Sequence, residues 1–236
     1  MSPRSTSESQ APRFYGRRKG KPLKASRQGL IEALLPALRI AVPERCVDPR
    51  SLFPFAVSAV RMEIGFGAGE HLARQALAHP TVGFIGAEVF LNGVASLLRH
   101  VRELGLKNVR ILNEDVRFLL PHLPDASFER ISLLFPDPWP KARHAKRRFV
   151  GPENLREMER LIVPGGEFRV ASDHPVYIDW ALQHLVSHPG FVWTAKGPED
   201  WRQRPADSTP TRYEEKAAKE GRTPVFLNFS RRAAPG

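Results

Sequence analysis

Residues 133–149, LLFPDPWPKARHAKRRF, set one carboxylate, Asp137, among Pro136, Pro138 and Pro140, and six basic or imidazole side chains follow it. Proline has no backbone N–H to donate and fixes φ, so the apolar strand must stop here, and the residue before each proline is expected to be extended. Asp137 is then a stiffly held charge at the place where a reacting base would lie. A turn aspartate is the plain alternative. Trp139 either offers a flat face to such a base or covers the core. Lys141, Arg143, His144, Lys146, Arg147 and Arg148, attached to that carboxylate, read as a phosphate grip, although basic runs also occur as solvated faces or localisation signals.

Residues 63–70, EIGFGAGE, hold a second set. Gly65, Gly67 and Gly69 at a strand-to-helix turn allow positive φ and let a ligand approach the backbone amides closely. Two details argue against a pyrophosphate: Glu70 replaces the last glycine of the dinucleotide pattern, and Glu63 stands just ahead of the turn. Glu63 would instead welcome an ammonium group. Glu88 ends a second apolar run about twenty residues on, the offset at which an acidic side chain meets ribose hydroxyls. Asp115 ends a third run and could accept from an adenine amino group. Each carboxylate could be only a helix cap or a solvated charge. Their joint placement at successive strand ends favours a ligand with ribose and adenine, neutral or cationic and without phosphate. S-adenosyl-L-methionine is such a ligand. No His/Cys/Asp cluster has metal-ligand spacing, so no metal is expected.

The elements that must position these groups alternate between strand and helix. SAVRMEIGFG gives a strand and glycine turn, EHLARQALAHP a helix, and TVGFIGAEV a second strand. Val94, Leu97, Leu98, Val101 and Leu104 recur at helical spacing, and Gly105 ends them. KNVRILNED and FERISLLF are the third and fourth strands. A helix around PENLREMERLI leads through VPGG into EFRVASD, a fifth strand, and VYIDWALQHLVS is a further helix. FVWTA and VFLNFS form a final antiparallel pair around a charged insert, 195–224. Thr211 and Glu214 satisfy a capping box, with Thr209-Pro210 suited to a helix start. The fold class is α/β, Rossmann-like: a mostly parallel, doubly wound sheet with a C-terminal antiparallel strand pair.

The formal charge of +11 is concentrated in two places. Residues 1–28 hold eight Lys/Arg against Glu8 alone, and residues 141–148 hold five against none. Local excess of this kind points to a polyanionic partner, with nucleic acid the leading candidate. Residues 1–28 are expected to be a disordered basic arm and 29–236 a single domain. Cys46 is the one cysteine, which excludes an internal disulfide and suits a reducing compartment, with inert packing as its expected role. The least charged run, 81–98, carries Glu88 and three glycines and is a poor membrane span.

With these motifs assembled, the sequence resembles the bacterial tRNA (guanine-N7)-methyltransferases. FPDPWPKARHAKRR carries the match, and EIGFGAGE, GAEV, NEDV, VPGGEF, ASDH and TRYEEK follow the same order over roughly 63–216. The resemblance implies a class I S-adenosylmethionine-dependent enzyme that methylates N7 of the variable-loop guanine at tRNA position 46. By it, Glu63, Gly65, Gly67, Gly69, Glu88, Asp115 and Asp137 line the cofactor site, with Asp137 the catalytic position. Lys141, Asp173, Thr211, Arg212, Tyr213 and Glu214 would contact substrate, and Arg143 to Arg148 the RNA. The implied setting is cytoplasmic, with tRNA as partner, no membrane, and a monomer or homodimer. The alternatives are a methyltransferase of the same fold acting on an exocyclic amine, a nicotinamide-dependent oxidoreductase resting on the glycine turn alone, and a non-catalytic RNA-binding protein.

Overall fold

The computed structural model describes residues 15, 16, 18 and 20–233. Seven strands form one sheet: β1 (Ala59–Ile64), β2 (Val82–Ala87), β3 (Val109–Leu112), β4 (Phe128–Leu134), β5 (Ile162–Ser172), β6 (Phe191–Trp193) and β7 (Val225–Arg231). Their spatial order is β3-β2-β1-β4-β5-β7-β6. The first five pair in parallel, and β7 runs antiparallel to both β5 and β6, as the sequence predicts. The chain winds outward from β1 to β3 on one side and returns through β4 on the other. The loops after β1 and β4 therefore part, and a crevice opens at the carboxyl ends of these strands.

Helices α1 (Ala25–Leu38), α2 (Glu70–Ala78) and α3 (Leu91–Leu104) cover one face at β1, β2 and β3. Their buried rows include Leu72, Ala73 and Ala76 on α2 and Val94, Leu97, Leu98 and Val101 on α3, the spacing of one helical stripe. Leu97 and Leu98 are fully buried, worth about 1.5–3 kcal/mol each. Gly105 ends α3 in the left-handed conformation at φ +63°, and its N–H donates to the last carbonyls. Helices α4 (Pro152–Leu161) and α5 (Pro175–Val186) cover the opposite face, packing Leu155, Met158, Tyr177 and Leu185 on Met62, Ile131, Phe168 and Phe229.

Side chains alternate between faces along a strand. The residues of β1, β4, β5 and β7 that point away from α4 and α5 are largely polar, among them Arg61, Glu63, Arg130, Ser132, Glu167, Arg169 and Asn228. The insert between β6 and β7 lies on this half-face. It contains α6 (Glu199–Arg202) and α7 (Arg212–Lys219). The capping box expected at Thr211 is present: Thr211 Oγ1 accepts from the Glu214 N–H at 3.3 Å, and Glu214 Oε1 accepts from the Thr211 N–H at 3.1 Å.

Three expectations need correction. Helix α1 begins at Ala25, so the arm boundary at residue 28 falls inside a helix. Upstream of it, the Leu91 N–H donates to the Arg18 carbonyl, and Asn92 bonds Gly20 N–H and the Lys21 carbonyl. The remainder of the expected arm, 1–14, 17 and 19, lies outside the described residues. Cys46 is exposed, so it packs no core. The residues before Pro136 and Pro140 are not extended: Phe135 has φ +50° and Trp139 φ +42°. Left-handed backbone at a bulky residue costs roughly 1–3 kcal/mol, and surrounding contacts must hold it. No helix among the described residues is long and apolar enough to cross a membrane.

Gly93 sits where α3 passes the glycine turn. A Cβ there would run into the Gly67 carbonyl oxygen, which is backbone and cannot swing aside. Gly93→Ala should therefore lower stability by about 1–3 kcal/mol through overpacking, read as a shift in the urea midpoint without a change in slope.

Candidate nucleotide and methyl-transfer site

The glycine turn follows β1 because Gly65, Gly67 and Gly69 adopt φ of +69°, +58° and +80°. Gly65 has nothing within 4 Å of where its Cβ would stand, so backbone is open to an approaching ligand there. Gly65 N–H donates to the Ala87 carbonyl at 2.8 Å, which ties the turn to the end of β2. Glu88, the next residue, reaches back over it. The Gly67 N–H donates to Glu88 Oε2 at 2.9 Å and the Phe90 N–H to Oε1 at 2.8 Å. Burial pushes the Glu88 carboxyl up from its ordinary value; the amides of Phe90, Gly67 and Val89 oppose the rise, and the negative charge of Asp137 adds to it. Glu88 and Asp137 follow the carboxyl ends of β2 and β4, on the same edge of the sheet. Each Glu88 oxygen, accepting one amide, keeps a lone pair for a hydroxyl donor. The open turn and the aimed acceptor fit a ribose-bearing cofactor.

The other two carboxylates are more heavily engaged. Glu63 is buried, and its Oε2 lies 2.7 Å from His71 Nδ1 of α2. The pair lines a pocket with Arg61, Gln75, Arg130 and Arg169. Asp115 is buried and caps the 3-10 turn Val116–Phe118. Its Oδ1 accepts from Arg117 N–H and Nε, both at 3.0 Å, and its Oδ2 from Nη2 at 2.6 Å and Nε at 3.2 Å. Three N–H donors of Arg117 thus hold both oxygens, which leaves acceptor capacity on the carboxylate for the expected adenine amino group. Asn113 has turned inward, its amide donating to the Glu88 carbonyl at 2.8 Å.

Asp137 is exposed at the end of β4, in a loop reversed at both flanks by Phe135 and Trp139. Two contacts hold that shape. The Phe135 N–H donates to the Ala171 carbonyl at 2.8 Å, and Arg148 clamps the far side: its Nε donates to the Pro138 carbonyl at 3.2 Å and its Nη2 to the Trp139 carbonyl at 2.9 Å. The same guanidinium lies 4.7 Å over the Trp180 ring. Arg148 is buried, and this corrects its expected place among the RNA contacts: its charge is spent on two carbonyls and an aromatic face. Arg147 is half-buried between Tyr15 and Trp139, 4.8 Å from each ring. Trp139 is half-buried and also meets His144 edge-on at 5.9 Å. Partial desolvation and the charges of Arg147, Arg143 and Lys141 hold the His144 imidazole below its ordinary value. Lys141, Arg143 and Lys146 are exposed.

The expected substrate residues of the insert come to the same edge. Tyr213 is stacked on Phe135, centroids 6.3 Å apart and planes 15° apart, and its ring stands beside Gly67. Arg212 lies over Tyr213 at 5.3 Å. Glu214 is taken up by the capping box and by Arg204 at 2.9 Å, and Asp173 by Arg222 at 2.7 Å. Phe135 lies within FPDPWPKARHAKRR but was given no role from the sequence, and Arg204 and Arg222 had no motif to single them out. His71 stands just past Glu70 of the glycine motif. Among the described residues no group of His, Cys, Asp or Glu is placed to hold a metal ion.

A protein-family profile described as "Putative methyltransferase" matches residues 58–227. The chain is 54% identical to a tRNA (guanine-N(7)-)-methyltransferase of Rhodospirillum rubrum over 95% of this chain and 91% of that one. It is 50% identical to the protein of the same description from Agrobacterium fabrum, over 93% and 95%. In fold it is similar to the 16S rRNA methyltransferase KamB, with a TM-score of 0.53 at 16% identity, covering 80% of this chain and 99% of that one.

The raised Glu88 carboxyl has a testable sign. The folded state holds its proton more tightly than the unfolded chain, so its contribution to stability is full below the ordinary 4.5 and is lost as pH rises through the folded value. Against Glu88→Gln, which does not titrate, the wild type should lose unfolding free energy as pH climbs above 4.5. Denaturant titrations of both proteins across a pH series measure this, and parallel curves would contradict it.

Proposed function

The chain belongs to the tRNA (guanine-N7)-methyltransferase family, and we propose that Glu88 and Asp137 are the two carboxylates around which its site is built. The protein is an enzyme that transfers a methyl group to N7 of guanine in tRNA, with S-adenosyl-L-methionine as donor. When bound, that cofactor supplies an electrophilic methyl group on a sulfonium. The finer assignments are our reading: the variable-loop guanine as target, the cytoplasm as setting, and a monomer or homodimer as the working form.

Guanine N7 has an in-plane lone pair and no proton, so no base is needed to create the nucleophile. The demand on the protein is to place the purine in line and to stabilise the positive charge it acquires. Asp137 meets the second demand by accepting from the guanine N1–H or amino group, whose hydrogen bonds strengthen as the ring becomes cationic. Glu88 accepts from the ribose hydroxyls of the donor, and the amides of Gly67 and Phe90 keep it aimed. The glycine turn admits the donor against the backbone, and Glu63, steadied by His71, presents negative charge beneath it. Tyr213, stacked on Phe135, covers the edge of the same crevice.

One observation carries this reading: Asp137 is exposed on a doubly reversed loop after β4, on the same carboxyl edge of the sheet where the half-buried Glu88 closes over the glycine turn. Carboxylates gathered on one edge of a crevice favour a cation there. Lys141, Arg143 and Lys146, exposed on the following segment, are the phosphate contacts. Arg148 serves the loop and not the RNA.

Incubation with labelled donor and bulk tRNA followed by nucleoside analysis should give N7-methylguanosine, and label on any other base would contradict the assignment. Asp137→Asn should lower turnover by about 10²-fold or more, the loss typical of removing one preorganised electrostatic group, while tRNA affinity by filter binding stays within a few-fold. For the basic run, Arg143→Gln with Lys146→Gln should flatten the log-affinity against log-salt slope by about 0.7–0.9 per lost phosphate contact. An unchanged slope would place the tRNA elsewhere.

A further inference from the structure

The polar half-face of the sheet holds an ion-pair network that neither cofactor nor guanine contacts explain. Arg130 and Arg169, from adjacent strands β4 and β5, meet Asp207 of the insert. Asp207 Oδ1 is 2.7 Å from Arg169 Nη1 and Oδ2 is 2.9 Å from Arg130 Nη1. Its backbone carbonyl accepts from the Gln75 amide of α2. Both arginines are also gripped by Glu167, at 2.6 Å from Arg130 and 2.9 Å from Arg169, so the guanidinium forks are held in place from the sheet side. Partial burial works to raise the Asp207 carboxyl, but the hydrogen bonds and charges of Arg169 and Arg130 overcome it and draw it down to about 2.

The segment this network holds has little else to hold it. Residues 203–210 include no buried side chain, so apolar packing does not set their position. Arg204 closes back on Glu214 at 2.9 Å, and Glu214 is boxed to Thr211, so 204–214 is a closed loop with Asp207 on the sheet side. The next turn carries Tyr213, beside Gly67 and stacked on Phe135. Beyond α7, Arg222 ties the other end to Asp173 just after β5. Tyr213 is therefore held over the crevice by charges from both sides, and the nearer tie is six residues away in sequence.

We propose that Asp207 is a positioning residue for methyl transfer: locked on Arg130 and Arg169, it sets where α7 begins and so keeps Tyr213 over the glycine turn and Phe135. This rests on the reading of that crevice as the methyl-transfer site. Tyr213 closes the edge of the crevice to water and gives the purine an aromatic wall. Asp207 touches neither substrate nor cofactor and acts through the tyrosine.

The test is a double-mutant cycle on single-turnover methylation of tRNA with Asp207→Asn, Tyr213→Ala and the pair. Asp207→Asn should slow turnover by about tenfold or more, the scale of one lost charge-assisted contact, with cofactor affinity little changed and the fold retained at the assay temperature. The double variant should be no slower than the slower single variant. Losses that multiply, or normal turnover in Asp207→Asn, would overturn the proposal. Arg169→Gln breaks the same lock from the sheet and should behave alike; if Asp207→Asn fails to fold, it carries the cycle. Normal turnover in Tyr213→Ala overturns the positioning role alone, whereas normal turnover in Asp137→Asn overturns the site.

Discussion

Arg148 is the constraint on which the catalytic edge depends. Strand β4 must stop at Pro136, yet the chain has to present Asp137 at the carboxyl edge of the sheet and then double back to α4. It does so by reversing the backbone at Phe135 and again at Trp139, both bulky residues for which that conformation is costly. The cost is offset by two charge-assisted bonds from the Arg148 guanidinium to the Pro138 and Trp139 carbonyls and by its stacking on Trp180. A buried guanidinium without those partners would itself be strongly unfavourable. Loop and arginine thus hold each other, and Asp137 is left exposed at their tip.

A second consequence is electrostatic. The sheet gathers negative charge at the ends of β1, β2 and β4, and it places positive charge on the half-face beneath the insert and on the surface of the basic segment. Burial, with a smaller contribution from the Asp137 charge, raises the Glu88 carboxyl. A site that already carries unrelieved negative charge is suited to a cationic donor and to a purine that becomes cationic, because little reorganisation is needed at the moment of transfer. The arginines of the half-face do not cancel this charge, since Glu167 and Asp207 occupy them.

Strand and helix order was legible because the apolar patterns of period two and period 3.6 are local properties of the chain, and the capping box at Thr211 is equally local. The carboxylates at the strand ends were legible because strand topology dictates where they go. Partnership was not. Nothing in the spacing of Arg148 distinguishes it from Arg143, but one folds under Trp180 and the other faces solvent. Asp115 reads as a free acceptor until Arg117 is seen to turn back on it. Phe135 and Trp139 precede prolines, and the local rule for such residues predicts extension; tertiary clamping overrides it. The role of the insert was hidden for the same reason, since Asp207 acquires meaning only from Arg130 and Arg169, more than thirty residues upstream.

The central claim is that the clamped loop delivers the Asp137 carboxylate to the target guanine. The most direct measurement is the structure of the enzyme with tRNA and S-adenosylhomocysteine. The account predicts an Asp137 oxygen within hydrogen-bond reach, about 2.6–3.2 Å, of the guanine N1 or amino nitrogen, with Arg148 still on the Pro138 and Trp139 carbonyls. A guanine seated in the crevice while Asp137 faces solvent would contradict it.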